Sequence, residues 1–249
     1  IIPDMEEVKK SYKKIRQTIG ALGIGLPLLI YVHTAIVWDC CSLQDSISHY
    51  YFTSGNVFFE GILWILGLVL IYYPAYKNEK KRDVWLTTFS GFFAWGVALI
   101  PTNSNSADSC AMFHLTDSPL RNAIHLSCAG LMLGIFSYMS IFLFTRSNPA
   151  NYNAQNPGTW KKVRNFIYVF CGLLTFLSIV TILVLQQFEK KDQFPFGHKY
   201  TFWFEVTAIV PFGISWLIKG GFLFTDEGDP STMAQLKSLV TKGKLIKTN

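Results

Sequence analysis

The chain alternates long apolar runs with short polar segments along most of its length. A helix needs about 20 apolar residues to cross roughly 30 Å of hydrocarbon, and six runs come close to that length. The fold class that this pattern predicts is all-α, a polytopic membrane protein with six transmembrane helices. The predicted spans are 19–38, 57–76, 84–100, 124–144, 163–185 and 201–224.

Lysine-rich amphipathic segments flank the apolar runs at both ends of the chain. Near the N-terminus, Val8, Tyr12 and Ile15 recur at helical spacing among lysines, and near the C-terminus Asp229-Pro230 is a typical helix start. Helices of this kind lie along the membrane surface. The predicted organisation is an amphipathic juxtamembrane segment at 1–18, a six-helix transmembrane bundle at 19–224 and a basic amphipathic cytoplasmic tail at 225–249.

Basic residues divide unevenly between the two sides of the membrane that six spans create. The N-terminal segment, the second and fourth loops and the C-terminal region carry eighteen of the 22 lysines and arginines, and the other three loops carry four. Because cytoplasmic loops are enriched in Lys and Arg, we expect both termini in the cytoplasm. The clustering at span ends, rather than along one stripe, argues against a nucleic-acid partner.

Composition agrees with a membrane location. Hydrophobic residues make up 50% of the chain and charged residues 15%, and the mean hydropathy of +0.28 is too apolar for an ordinary soluble domain. The expected partner is the lipid bilayer, in the plasma membrane or a bacterial inner membrane, with a protein partner or a second copy of the chain as a further expectation. In the fourth span, Gly130 and Gly134 form a GxxxG pattern, which predicts close packing on a neighbouring helix, with dimerisation as the alternative.

The stretch SISHYYFTSGNVFFEG, residues 46–61, departs from plain membrane-spanning sequence. It ends just after Glu60, and a carboxylate entering hydrocarbon is costly unless it faces protein, water or a partner. The six-span topology places this acid and three other ionisable groups near the outer ends of four different spans. An outward-facing polar pocket is therefore predicted, with separate contacts to interfacial water as the alternative. Its expected residues are His33, Ser46, Ser48, His49, Tyr50, Glu60, His125 and Glu205.

Imidazole and carboxylate groups in such a pocket suit zinc and similar divalent metals. His49, His125 and Glu60 are the candidate metal ligands, with zinc as the metal. The chain contains no HExxH or CxxC motif, so these ligands would come from separate helices. A serine nucleophile is a further alternative, with Ser46 or Ser48 beside His49 or His125, although no GxSxG motif positions it.

Three of the five cysteines lie in predicted exterior loops. We expect Cys110 to form a disulfide with Cys40 or Cys41, which an oxidising exterior would permit. The other two, Cys128 and Cys171, fall inside predicted spans and are expected to be small packing residues.

Several short motifs resemble those of uncharacterised bacterial multi-pass membrane proteins of the DUF998-like families. They are the SISHYYFTSGNVFFEG stretch, a short basic loop, ALIPT at the end of the third span, IHLSCAG at the start of the fourth and FTR at its end. This resemblance covers the first four spans and implies a fold but no activity.

A more distant likeness is to the alkaline ceramidase and adiponectin-receptor membrane hydrolases, whose seven spans hold a serine, an aspartate and three histidines at a zinc site. Ser46 or Ser48, His49 and His125 are the positions here that match. The chain departs from the pattern of those hydrolases because it shows six apolar runs and no closing pair of histidines.

Three functions stay open on the sequence alone. The first is binding or passage of a proton, an ion or a polar or lipid headgroup by the pocket residues. The second is a membrane-embedded, metal-dependent hydrolase that acts on lipids. The third is an accessory subunit of a membrane complex, in which the polar residues bind loops of a partner.

Overall fold

The computed structural model describes residues 5–40, 42–73, 81–104, 109–146, 159–189 and 199–225. Within these ranges the fold is all-α, as predicted, with six α-helices and no strand. The α-helices are α1 Met5–Val37, α2 Asn56–Ile71, α3 Lys81–Leu99, α4 Pro119–Tyr138, α5 Thr159–Glu189 and α6 Tyr200–Lys219. A 3₁₀ helix, Ile47–Phe52, lies between α1 and α2, and a π-helical turn, Met139–Leu143, continues α4.

Four of the described helices are long and apolar enough to cross a membrane, as expected for a multi-pass membrane protein. The second predicted span corresponds to α2, which is apolar but has 16 residues, about 24 Å of helix. The third predicted span corresponds to α3. Its 19 residues include threonines, a serine and glycines, which interrupt the apolar run. The four segments are Lys10–Val37, Pro119–Leu143, Trp160–Gln186 and Tyr200–Lys219.

The first helix is continuous over 33 residues, about 50 Å. From Met5 onward, the predicted juxtamembrane segment at 1–18 and the first span therefore belong to one helix. The predicted tail at 225–249 lies outside the described residues, apart from Thr225.

Consecutive helices pack side by side and α6 returns to α1, so the described helices form a closed ring. Aromatic side chains form much of its core. Trp216 is fully buried, with its ring centroid 5.4, 5.1 and 6.0 Å from those of Tyr73, Phe144 and Phe212. Phe212 in turn stacks on Phe136 at 3.6 Å. Each such contact adds roughly 0.5–1.5 kcal/mol beyond simple burial, so α6 is anchored to its neighbours mainly through its aromatic face.

Glycines let two pairs of helices approach closely. A Cβ added to Gly20 of α1 would lie 2.6 Å from the carbonyl oxygen of Gly213 in α6, and one added to Gly91 of α3 would lie 2.6 Å from that of Gly67 in α2. Such backbone proximity is typical of helices that associate through small residues within a membrane. The α1–α6 contact closes the ring.

The expected packing at Gly130 and Gly134 is wrong within the described structure. A Cβ added at either position meets no described atom within 4 Å. Both glycines instead line an apolar groove of about 310 Å³, together with Leu86, Leu131, Ile135 and Tyr138. The GxxxG spacing puts both residues on one face of α4, but the helix is rotated so that this face does not meet a neighbour.

Charged groups at the end of the ring opposite the 3₁₀ helix are paired within the protein. They join α1 to the segment after α2, and they join α3 and α6 to the segment that follows α4. The contacts are Arg146 with Asp83 at 2.7 Å, Lys219 Nζ with the Phe144 carbonyl at 2.9 Å and Arg16 Nε with the Tyr73 hydroxyl at 2.6 Å.

The α1–α6 contact can be tested with two identical substitutions. Gly213→Ala should lower the free energy of unfolding by about 1–3 kcal/mol, because the added methyl must displace backbone of α1. Gly134→Ala should unfold at the wild-type temperature or slightly above, since its site is open and alanine favours helix by about 1 kcal/mol. Thermal and denaturant unfolding of the purified protein in one detergent measures both. Equal stability of the two variants would contradict the close approach.

Candidate functional site

Residues 42–55, which we call the connector, join α1 to α2 and pack onto the end of the ring where α3 ends and α6 begins. Ser46 caps the 3₁₀ helix, since its side-chain oxygen accepts the Ser48 N–H at 3.1 Å. Within that helix, Ile47, Tyr50 and Phe52 are buried. The connector is therefore a packed part of the bundle.

The Glu205 carboxylate binds the connector. Glu205 lies in the second turn of α6, and the Ser46 hydroxyl is 2.9 Å from both of its carboxylate oxygens. The Ile47 N–H donates to the same carboxylate at 2.6 Å. At the start of α6, the Phe202 N–H, which has no partner within its own helix, donates to the Asp45 carbonyl at 2.9 Å. Within the described structure the partners of the Glu205 side chain are therefore the Ser46 hydroxyl and the Ile47 N–H.

His125 links the connector to α3 and α4. Its Nδ1 is 2.6 Å from the Ile100 carbonyl oxygen, just after the end of α3, and its Nε2 is 2.9 Å from Ser48 Oγ. A carbonyl oxygen can only accept, so Nδ1 carries the proton. Nε2 then has a free lone pair, and the Ser48 hydroxyl donates to it. The imidazole is 1% exposed, so the ring is held within the bundle.

Further contacts fix the connector on two other sides. The hydroxyls of Thr34 in α1 and Thr53 in the connector are 3.3 Å apart. The Met112 N–H, from the segment between α3 and α4, donates to the Phe52 carbonyl at 2.7 Å. The connector is therefore hydrogen-bonded to α1, α4, α6 and the α3–α4 segment.

A disulfide joins the two polar segments at this end. Of the pairings that the sequence left open, the structure contains Cys40–Cys110, with Cα atoms 5.9 Å apart, whereas Cys41 lies outside the described residues. The two cysteines in the spans, Cys128 and Cys171, are free thiols. The disulfide closes a separation of 70 residues, so it holds the α3–α4 segment beside the connector.

A second set of polar atoms lies where the connector enters α2. His33 Nδ1, Ser54 Oγ and Asn56 Oδ1 are buried, and none of the three has a hydrogen-bond partner within the described residues. Buried polar atoms are nearly always paired, with ordered water or an ion supplying the partner where protein does not. Each of these three atoms therefore has hydrogen-bonding capacity that the described residues leave unused.

Contacts between α1 and the start of α2 place the residues that carry these atoms near one junction. A Cβ added to Gly55, between Ser54 and Asn56, would lie 2.7 Å from Thr34 Oγ1, next to His33 in α1. The His33 ring also packs edge-on against Phe58, with centroids 5.2 Å apart. We call His33, Ser54 and Asn56 the junction group.

Glu60 lies four residues after Asn56 in α2 and so on the same helix face. Burial raises the pKa of Tyr51 in the connector, and the negative charge of Glu60 raises it further, so Glu60 lies within electrostatic range of Tyr51. Glu60 therefore places a carboxylate near the start of α2, on the helix face that Asn56 shares.

The eight expected pocket residues lie in different parts of the structure. Ser46, Ser48, His125 and Glu205 join the connector to the bundle, whereas His33 and Glu60 belong to the α1–α2 junction. Tyr50 is a core residue whose ring lies 6.2 Å from that of Phe202. His49 is half-buried beside Ser48 and lies within electrostatic range of His125.

The expected zinc ligands do not come together. Among the described residues no three histidine, cysteine, aspartate or glutamate side chains are grouped closely enough to bind a metal ion. His125 cannot contribute in this arrangement because both of its ring nitrogens are already bonded. Glu60 lies at the α1–α2 junction, away from the His125 bonds. The metal set of His49, His125 and Glu60 is therefore not supported by the geometry.

Sequence reasoning missed the groups that complete the site. The Ile100 carbonyl and the Ile47 N–H are backbone atoms, which every residue possesses, so no residue type marks them. Ser54 is one of many serines in turn-forming sequence. Only Asn56, directly before an apolar run, was a visible polar signal.

The Ser46–Glu205 bond can be tested by a double-mutant cycle. Ser46→Ala should cost about 1–3 kcal/mol, because the buried carboxylate loses a donor, and Ser46→Ala combined with Glu205→Gln should cost less than the sum of the two changes. Ser127→Ala is the matched control, since the exposed Ser127 hydroxyl bonds only to the Ala123 carbonyl of its own helix. Denaturant unfolding in detergent measures the four proteins of the cycle and the control. Strict additivity would refute the bond.

Comparison with protein-family models, curated proteins and solved structures gave no match, so the geometry described above is the basis on which the function of the site is interpreted.

Proposed function

We propose that the chain is a six-span integral membrane protein, with both termini in the cytoplasm, that binds a cationic headgroup or small cation at the outer end of its helix ring. The observation that carries the proposal is the junction group, three buried polar atoms without a partner in the described structure, beside the Glu60 carboxylate.

Two features support six spans in this orientation. The shorter α2 and α3 are members of the same closed ring as the four span-length helices, so they lie at the same depth in the membrane. The connector end carries no lysine or arginine from 39 to 56, whereas the opposite end carries Arg16, Arg146 and Lys219. Under the positive-inside rule the connector end faces out.

The chemistry of the junction favours a positively charged ligand. Asn56 Oδ1 is an acceptor, Ser54 Oγ and His33 Nδ1 can each accept, and Glu60 supplies a negative charge. Tyr51 and Phe58 add aromatic faces, which attract ammonium groups by roughly 0.5–2 kcal/mol. An ammonium headgroup such as that of phosphatidylethanolamine satisfies this set, whereas an anionic headgroup would be repelled by Glu60.

The orientation can be tested by labelling intact cells with a membrane-impermeant maleimide. Thr116→Cys, in the α3–α4 segment, should be labelled because the outer face is accessible. Lys162→Cys, at the start of α5, should be labelled only after the cells are lysed. Both positions are exposed in the structure. With Cys41, Cys128 and Cys171 replaced by serine, access to the membrane face alone decides the result. Labelling of Lys162→Cys in intact cells would overturn the proposed topology.

Ligand binding can be tested by thermal shift with short-chain lipids. Dihexanoyl phosphatidylethanolamine should raise the unfolding temperature, because a ligand at 100 times its Kd adds about 2.7 kcal/mol of stability, and dihexanoyl phosphatidylglycerol should not. Glu60→Gln should abolish the shift, while Asp117→Asn, at an exposed acid in the α3–α4 segment, should retain it. Equal shifts with both lipids, or a full shift in Glu60→Gln, would refute the proposal.

His33→Phe separates binding from folding in the same assay. Phenylalanine keeps the ring contact with Phe58 and removes a buried nitrogen that lacks a protein partner, so the ligand-free protein should be at least as stable as wild type. The phosphatidylethanolamine shift should nevertheless fall. A purely structural role for His33 would instead lower stability and leave the shift unchanged.

A further inference from the structure

Ser48, His125 and the Ile100 carbonyl form a chain of three groups with the order that an activated serine requires. The serine oxygen lies 2.9 Å from Nε2 of the histidine, and Nδ1 of the same ring lies 2.6 Å from the carbonyl oxygen. A nucleophile within hydrogen-bond reach of a base, which is itself oriented by a third group, is the geometric signature of nucleophilic catalysis. Ser48 itself is half-buried, in contrast to the fully buried His125.

The tautomer of His125 distinguishes this arrangement from a simple tether. Because the Ile100 carbonyl fixes the proton on Nδ1, the lone pair of Nε2 points at the serine hydroxyl, as a general base requires. When Nε2 takes a proton, the imidazolium is stabilised by the carbonyl dipole at Nδ1. The carbonyl thus orients the ring as the buried carboxylate does in a Ser-His-Asp triad, although it carries no full charge.

A donor for developing negative charge lies one turn earlier on α4. Arg121 precedes His125 by four residues and so shares its helix face. Its terminal nitrogen donates to the Thr116 carbonyl at 2.9 Å and to Asn103 Oδ1 at 3.3 Å, which hold the guanidinium in place. Its Nε–H is buried and has no partner within the described residues. That N–H has an unused hydrogen bond, of the kind that the oxyanion of an ester substrate would accept.

The surroundings indicate the substrate class. Leu120 and Ile124, which flank Arg121 on α4, are 72% and 40% exposed, so the site opens beside an apolar face of a membrane helix. We propose that Ser48 and His125 form a catalytic dyad that cleaves a carboxylic ester of a membrane lipid. This activity does not depend on the cation site at the α1–α2 junction, since the two sites share no residue.

The chemistry balances with water as the second substrate. Ser48 Oγ bonds to the ester carbonyl carbon while its proton passes to His125 Nε2. The bond from that carbon to the alcohol oxygen then breaks, and the alcohol leaves with the proton from Nε2. Water attacks the acyl-serine, giving its proton to Nε2 and its hydroxyl to the acyl group. The carboxylic acid leaves, and the proton returns to Ser48.

A fluorophosphonate probe tests the nucleophile directly on the purified full-length protein. Attack by Ser48 forms a bond from Oγ to phosphorus and expels fluoride, so peptide mapping of the wild-type protein should find the adduct on Ser48. His125→Gln should slow labelling at least 100-fold, the lower range expected for loss of a general base. Ser127→Ala and His114→Gln, at exposed positions outside the dyad, should label at the wild-type rate.

Hydrolysis of p-nitrophenyl butyrate gives a second readout. Turnover should fall to background in Ser48→Ala. The rise in unfolding temperature with phosphatidylethanolamine should persist in this variant, so failure of the dyad proposal can be distinguished from failure of the cation-site proposal. An unmodified Ser48 in wild-type protein, or equal labelling rates in wild type and His125→Gln, would overturn the dyad. Because the wild-type adduct is decisive, the test stands even where a variant fails to fold.

Discussion

The structure depends on pairing the polar groups that the connector carries into the end of the helix ring. Ser46, Ser48 and the Ile47 N–H would each cost about 1–3 kcal/mol if buried without a partner. Glu205 from α6 and His125 from α4 accept their hydrogen bonds. Because these acceptors come from helices distant in sequence, the connector can adopt this position only when the ring has assembled. The same bonds therefore fix both the segment and the relative positions of α4 and α6.

Polar groups at this end differ in whether they already have hydrogen-bond partners within the protein. The polar groups of the connector have such partners, so their hydrogen bonds fix the position of the segment rather than bind a ligand. The junction group has hydrogen-bonding capacity that the described residues leave unused, and the proposed cation site rests on it. Ser48 and His125 form a completed hydrogen bond, and the proposed dyad rests on that bond.

The ring that supports these sites closes through small residues and aromatic packing. Gly20 and Gly213 bring α1 and α6 to backbone contact, and Trp216 fills the core beside them. Gly130 and Gly134 have the spacing usually associated with such contacts, yet they face an open apolar groove. Spacing determines which residues share a face of a helix. Only the rotation of that helix within the assembled ring determines what the face meets.

The sequence by itself determined the helical class and the membrane setting. A run of about 20 apolar residues has the length of a membrane-spanning helix, and a helix forms hydrogen bonds among its own backbone N–H and C=O groups. It also located Glu205 and His125 near span ends, since depth follows from counting residues along a helix. It narrowed the disulfide to two pairings, of which Cys40–Cys110 forms.

The sequence could not show which polar side chains lie together in the folded protein. Glu205 and His125 bind the connector, while His33 and Glu60 lie at the α1–α2 junction, because helix rotation and connector path depend on packing against distant segments. The backbone carbonyl that orients His125 is the clearest case, since only the tertiary structure could select Ile100 from among all carbonyls in the chain.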